Sequence, residues 1–275
     1  MKNLLNIFGI FTAATIVAHA QGGEKLGLKL DPESGELRFL KDTSTINRAE
    51  GAELTYRVAC SLVDGKASLG VNNPVKEGVR LLEVSESLGS AKAAFKLAMV
   101  KAEGKAGPSD KNAALKAAIE SYLKNMRLCL DETSDFEKDK SRAKAGKKEP
   151  LFWRGLSSYL ELYPIEESSR RESTMHMLKS AMLGYSNAQL ACGVMYLRGE
   201  IVPRNRMEAY KWLLLAQANS FAEPPNDYCF NQKEFASFLA DLVEQQLTKE
   251  QIAEAQKAAT DFSPQAEEPK KENGK

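Results

Sequence analysis

The chain has 275 residues, of which 43% are apolar, enough for one large domain or two ordinary ones with a real core, so wholesale disorder is excluded. Lys plus Arg number 38 against 37 Asp plus Glu, which argues against a nucleic-acid binder driven by bulk charge. With only two histidines, His19 and His176, a Ser-His triad, a multi-histidine zinc site and most His-based acid–base chemistry are disfavoured.

Residues 1–20 read as a secretory signal peptide. Lys2 is the only charge, residues 4–17 form a short apolar stretch, and Ala18-His19-Ala20 gives a small-x-small cleavage pattern before Gln21. The apolar stretch is short of the ~20 residues that a membrane span needs, and no later segment is long and apolar enough to cross a bilayer. The expectation is a periplasmic or secreted product without stable membrane insertion. Residues 21–48 fit no repeat. Leu26, Leu28 and Leu30 alternate, and Pro32 to Gly35 is turn-like, so this arm is either a small hairpin or an extended lead into the first helix.

From residue 49 the chain repeats. Ala209, Trp212, Ala216 and Ser220 lie along one helix face, and the same phase recurs 36 residues earlier as Ser173, His176, Ser180 and Gly184. In the first half it reads Gly78, Leu81, Ser85, Gly89, then Ala114, Ala117, Ser121, Asn125. The last position carries the Gly, Ser or Asn that a helix C-terminus prefers. A second series marks a preceding helix: Gly89, Ala93, Ala98 and Gly104 match Gly184, Ala188, Gly193 and Gly199 at a constant offset of 95. Gly104 and Gly199 end that helix, and Pro108 or Pro203 follows in the loop. The unit is helix, loop, helix, loop. Small residues allow two antiparallel helices to approach closely, while Tyr196, Tyr210, Trp212 and Leu213 fill the space between units. One pair cannot bury its apolar face alone, so the pairs must stack.

The predicted architecture is all-α, a right-handed α-solenoid of antiparallel helix pairs. Repeats 1–2 occupy residues 49–130 and repeats 3–4 residues 151–222, with a closing helix pair over 223–262 and a polar tail, predicted to be disordered, over 263–275. Residues 131–150, charged and nearly free of large apolar side chains, read as a solvated insertion at a repeat junction.

The copy running Gly184-Tyr-Ser-Asn-Ala188-Gln-Leu190-Ala-Cys-Gly193-Val-Met-Tyr196-Leu-Arg-Gly199, then Val202-Pro-Arg-Asn and Glu208-Ala209-Tyr-Lys-Trp212, resembles the Sel1-like repeat, a subfamily of the tetratricopeptide-type helical repeats. The copies beginning near 54, 91 and 152 are progressively degenerate, and residues 247–256 are similar to the closing helix often found in such proteins. The resemblance implies a non-enzymatic interaction scaffold that takes a protein or peptide partner on its curved surface. The alternatives are a cell-wall or β-lactam hydrolase of the cysteine-rich Sel1-like type, or a structural envelope component.

No catalytic, cofactor-binding or metal-ligating residue is predicted, no nucleic-acid partner, and no binding residues are assigned. Export permits disulfides, and the pair Cys192–Cys229 joins neighbouring units, whereas Cys60–Cys129 skips one. The other reading of all four cysteines is buried thiols acting as small apolar side chains. His176 holds the position of Trp212 one unit earlier and reads as packing. Ser141 and Lys144 form a Ser-x-x-Lys pattern without companion motifs and read as chance. Phe152, Trp153, Tyr159, Tyr163, Tyr196, Tyr210 and Trp212 read as inter-repeat core or as the lining of a groove.

Overall fold

The computed structural model describes residues 15–19, 25–30, 37–39, 48–66, 69–133, 148–160, 167–199, 201–219 and 230–265. The chain divides into two compact units, Met1–Tyr122 and Leu123–Lys275. Among the described residues the all-α class and the antiparallel helix pairs are those expected, with one small sheet added.

In the first unit, strands β1 (Thr15–His19), β2 (Lys25–Leu30) and β3 (Leu37–Phe39) form an antiparallel sheet in that order, with Leu28 opposite Phe39 and Leu30 opposite Leu37. The arm is therefore the hairpin of the two readings. Helices α1 (Arg48–Val63) and α2 (Pro74–Ser87) make the first pair, and α3 (Ala91–Ala102) packs on α2. Leu28 and Leu37 join a core with Leu54, Val58, Leu62, Leu81 and Leu97. A polar clasp fixes the hairpin to α2. The Glu77 carboxylate accepts the Leu37 N–H at 2.7 Å, while Arg80 donates to Glu77 at 2.6 Å and to the Leu37 carbonyl at 2.6 Å. Glu77 is buried, so removing Arg80 would leave an expensive buried carboxylate without its counter-charge.

Local chemistry sets the helix ends. Pro74 occupies the first turn of α2, where its missing N–H costs nothing, and Asn73 caps it by accepting from Lys76 N at 3.0 Å. Ser90 caps α3, and Asp110 caps α4 (Lys111–Thr133) through Asn112 N and Ala113 N. α4 departs from expectation. Asn125 was read as a helix end, but the helix runs on to Thr133 because Met126-Arg-Leu-Cys-Leu130 continues with good helix formers. Asn125 is fully buried instead, and its Oδ1 accepts the Phe230 N–H at 3.0 Å.

The second unit holds α5 (Lys148–Tyr159), α6 (Glu167–Met182), α7 (Ser186–Arg198), α8 (Arg206–Ala218), α9 (Gln232–Glu244) and α10 (Lys249–Thr260). α5 pairs with α6 and α7 with α8, while α9 and α10 each pack on α8. Of the expected insertion 131–150, both ends are helical, in α4 and α5; residues 134–147 lie outside the described residues. Gly199 ends α7 with φ +71 and donates its N–H to Met195 O at 3.0 Å. A Cβ there would also stand 2.7 Å from Arg204 Cβ, so the turn into α8 requires glycine twice over.

The repeat is physical at the helix crossings. Gly78 on α2 faces α1: an added Cβ would lie 2.6 Å from Val63 Cγ2 and 3.0 Å from the Ala59 carbonyl oxygen. Gly193 on α7 faces α8, where a Cβ would meet Leu213 Cγ at 2.9 Å and the Ala209 carbonyl oxygen at 3.4 Å. Ala59 and Gly193 are equivalent positions, as are Gly78 and Ala209, so each crossing joins one glycine to one alanine with the sides exchanged. A hydroxyl completes the pattern. Ser85 Oγ donates to the Ala52 carbonyl at 2.6 Å across α1–α2, and Ser180 Oγ donates to the Lys148 carbonyl across α5–α6.

Gly78→Val is expected to destabilise by about 1–3 kcal/mol, because the neighbours within 3.1 Å include backbone and Leu62 Cβ, which cannot rotate away. A thermal midpoint equal to or above that of the parent would show that the helices have room to separate. Trp212 is 6% exposed, so Trp212→Ala should cost about 3–5 kcal/mol; chemical denaturation with an unchanged midpoint would contradict that.

Candidate functional site

Within each unit the first helices of consecutive pairs touch, α1 with α3 and α5 with α7. Their flanks therefore adjoin. Glu53, Arg57 and Cys60 on α1, with Asp64 just past its end, form a stripe at helical spacing, and Lys92 and Lys96 answer it from α3.

Lys96 Nζ lies 2.8 Å from Asp64 Oδ1, and Lys92 Nζ lies 3.9 Å from Glu53 Oε2, while the other oxygen of that carboxylate, Oε1, pairs with Arg57 Nε at 2.6 Å. The hydrogen bond from Lys96 lowers the Asp64 pKa, against a smaller opposing effect of burial. Burial works against the Lys96 charge, but the bond to Asp64 and its negative charge outweigh it and raise the Lys96 pKa. Burial likewise raises the Cys60 thiol, opposed by a hydrogen bond from Tyr56 and by the Lys96 charge. Cys60 is thus held as a thiol rather than a reactive thiolate. The face offers fixed charges of both signs, a phenol and a half-buried sulfur, which suits recognition of polar side chains and main chain.

The equivalent helix contact in the second unit is aromatic and largely buried. The Arg198 guanidinium from α7 stands 5.2 Å over the ring of Tyr159 from α5, a cation–π contact between neighbouring pairs. Phe152 packs edge-on to Tyr185 at 5.3 Å and tilts against Trp153 at 4.8 Å. Burial, then the Glu149 charge, pushes the Tyr185 phenol up to about 12.

Of the aromatic residues singled out in the sequence, Phe152, Tyr159, Tyr210 and Trp212 are buried, which is the core reading; Trp153 and Tyr196 are half-buried, and Tyr163 lies outside the described residues. The Tyr210 hydroxyl donates to Glu244 Oε2 on α9 at 2.6 Å, and burial together with that carboxylate lifts its pKa to about 12. His176 is half-buried on α6. Cys192 is fully buried in α7, and burial raises its thiol pKa. The side chain of Cys129, all of Cys229, and Ser141 with Lys144 lie outside the described residues, so the pairing of Cys192 with Cys229 stays an expectation. Among the described residues no group of three or more His, Cys, Asp or Glu is placed to hold a metal ion, and no helix is long and apolar enough to cross a membrane.

Two features escaped the sequence. Glu77 and Arg80 carry no motif or repeat signal in the sequence, yet they hold the hairpin. Gln189, fully buried in α7, donates to the Ala181 carbonyl at 3.2 Å and accepts from Asn219 Nδ2 at 3.0 Å, joining α6, α7 and the end of α8. A polar residue inside the apolar phase of α7 was the available signal.

No protein-family pattern matches the sequence, and no curated protein matches it. Among solved structures, a protective antigen of uropathogenic Escherichia coli, described as displaying an SLR fold, is 19% identical with a TM-score of 0.39, over 82% of this chain and 50% of that one. A Sel1 repeat protein from Oxalobacter formigenes is 18% identical with a TM-score of 0.28, over 80% of this chain and 70% of that one. The chain thus spans about half the length of the first of these structures. The chain's own recurrence is visible in the structure: the Gly–Ala crossing at 193 and 209, the left-handed glycines at 184 and 199, and the packed Trp212 fall where the sequence pattern requires them.

Proposed function

We propose that this protein is an exported interaction scaffold that binds a protein or peptide partner on the adjoining faces of its first helices. The observation that carries the reading is the side-by-side placement of α1 and α3, whose Glu53, Arg57, Asp64, Lys92 and Lys96 form a pre-positioned polar ladder. Such a surface is ordered before binding, so association costs little conformational entropy. Stacked pairs hold side chains at fixed spacing over a length suited to an extended chain. Export is supported by the apolar leader and its Ala18-His19-Ala20 pattern. Cleavage after Ala20 would remove β1 and leave the β2–β3 hairpin, which the Glu77–Arg80 clasp holds to α2.

A photo-reactive phenylalanine in place of Arg57, on the α1 stripe, should capture a partner from the native envelope, whereas the same group in place of Glu83, exposed on α2, should not. Capture from position 83 alone, or from neither position, would defeat the assignment of this face.

A further inference from the structure

Helix α10 ends at Thr260 with Asp261 as its C-cap, and Phe262–Gln265 continue without regular structure. They run back over earlier elements of the second unit. The Phe262 ring meets Trp212 edge-on, with centroids 5.9 Å apart and planes at 70°. Pro264 lies against Gly184, where an added Cβ would stand 3.3 Å from the proline ring. The Gln265 N–H donates at 2.9 Å to the carbonyl of Met182, the last residue of α6. A helix end leaves such carbonyls without an intrahelical donor. A tetrapeptide of this chain is therefore received by an aromatic, a glycine without a side chain, and an open carbonyl.

The hold is thin. Ser263, Pro264 and Gln265 are exposed, and Phe262 is only half-buried. Met182, on the flank of the same surface, is 38% exposed, one of two large apolar side chains exposed among the described residues. A methionine beside a peptide-sized surface adapts to different occupants. The buried Trp212 Nε1 has no acceptor among the described residues, so the strap leaves the site's one indole donor unused.

We propose that Met182, Gly184 and Trp212 form a docking site for an extended segment of aromatic-x-proline sequence in a partner protein, and that Phe262-Ser-Pro-Gln265 occupies it as a displaceable strap. The occupant defines the ligand: an aromatic for Trp212, a proline two residues on for Gly184, and a main-chain N–H one further for the Met182 carbonyl. Proline fixes φ and lowers the ordering cost of the bound segment. The site extends the scaffold reading and rests on it, adding a recognition motif and a built-in competitor. A short tether presents the strap at an effective concentration of about millimolar. Against a free peptide with a Kd of about 100 µM, that weakens apparent binding about tenfold, so a partner must bring further contacts to displace the strap.

The test uses the full chain carrying Trp153→Phe, which leaves Trp212 as its single tryptophan. The probe is the blocked peptide Asp-Phe-Ser-Pro-Gln, titrated against this chain and against its Phe262→Ala derivative, with Trp212 fluorescence as the readout. The derivative should bind about tenfold more tightly than the parent, and a peptide with alanine for phenylalanine should not bind. A derivative with parental circular dichroism and melting that takes no peptide would overturn the proposal. So would a derivative that loses its cooperative transition, since a strap needed for folding is core and cannot be displaced. This titration reads the second unit alone, so its failure leaves the position-57 capture on the first unit to stand or fall by itself.

Discussion

The close approach of paired helices at the Gly–Ala crossings is the constraint on which the rest depends. At Gly78 and Gly193 the facing backbone carbonyl oxygen would lie within 3.4 Å of any added Cβ. Contact that close brings main-chain polar groups into the seam, where an unpaired one costs about 1–3 kcal/mol. In two of the pairs a serine adds a hydrogen bond across the seam, Ser85 to the Ala52 carbonyl, which Thr55 Oγ1 also meets, and Ser180 to the Lys148 carbonyl. Small size at one repeat position and a hydroxyl at another are thus two features of the same close pairing. A larger residue would force the helices apart, and an alanine at the serine position would leave the carbonyl without that donor.

The tight seam also decides which surfaces are left over. Paired helices spend their small-residue faces on each other and their large residues on the next pair, as Tyr210 does by reaching Glu244 on α9. What remains of the first helices is the flank that meets the next first helix. In the first unit that flank carries Glu53, Arg57, Asp64, Lys92 and Lys96, and in the second Tyr159 and Arg198. The same geometry therefore leaves a charged flank in one unit and a largely buried aromatic contact in the other.

The sequence made the periodic part of this legible and left the aperiodic part obscure. Gly184, Gly193, Gly199 and Trp212 recur at fixed offsets because each answers a local demand of the repeat, whether a left-handed backbone, a crossing or a gap between pairs. The Glu77–Arg80 clasp has no counterpart in the other copies, so no period announces it. Asn125 misled for a related reason. It sits in phase with Gly89 and Gly184, but its partner, the Phe230 N–H, is 105 residues away, and a helix-ending residue type was read where a buried acceptor was needed. The α1–α3 ladder was hidden likewise, since Lys92 and Lys96 look like ordinary surface lysines until Glu53 and Asp64 are placed opposite them.

That ladder has a consequence for recognition. An ion pair near the surface is worth about 0–1 kcal/mol, because solvent screening and side-chain entropy offset most of its Coulomb energy. The Lys96–Asp64 pair, with side chains 19% and 26% exposed, is mostly covered but more open to water than Glu53, so a partner's charged group would exchange with it more readily than with that carboxylate. Glu53 differs, since its side chain is 8% exposed and already shared between Arg57 and Lys92, and stripping both would strand a nearly buried carboxylate. Exchange at Asp64 and retention at Glu53 would orient a bound segment along α1, with the fixed carboxylate nearer the N-terminal end of the helix and the exchangeable pair just past its C-terminal end.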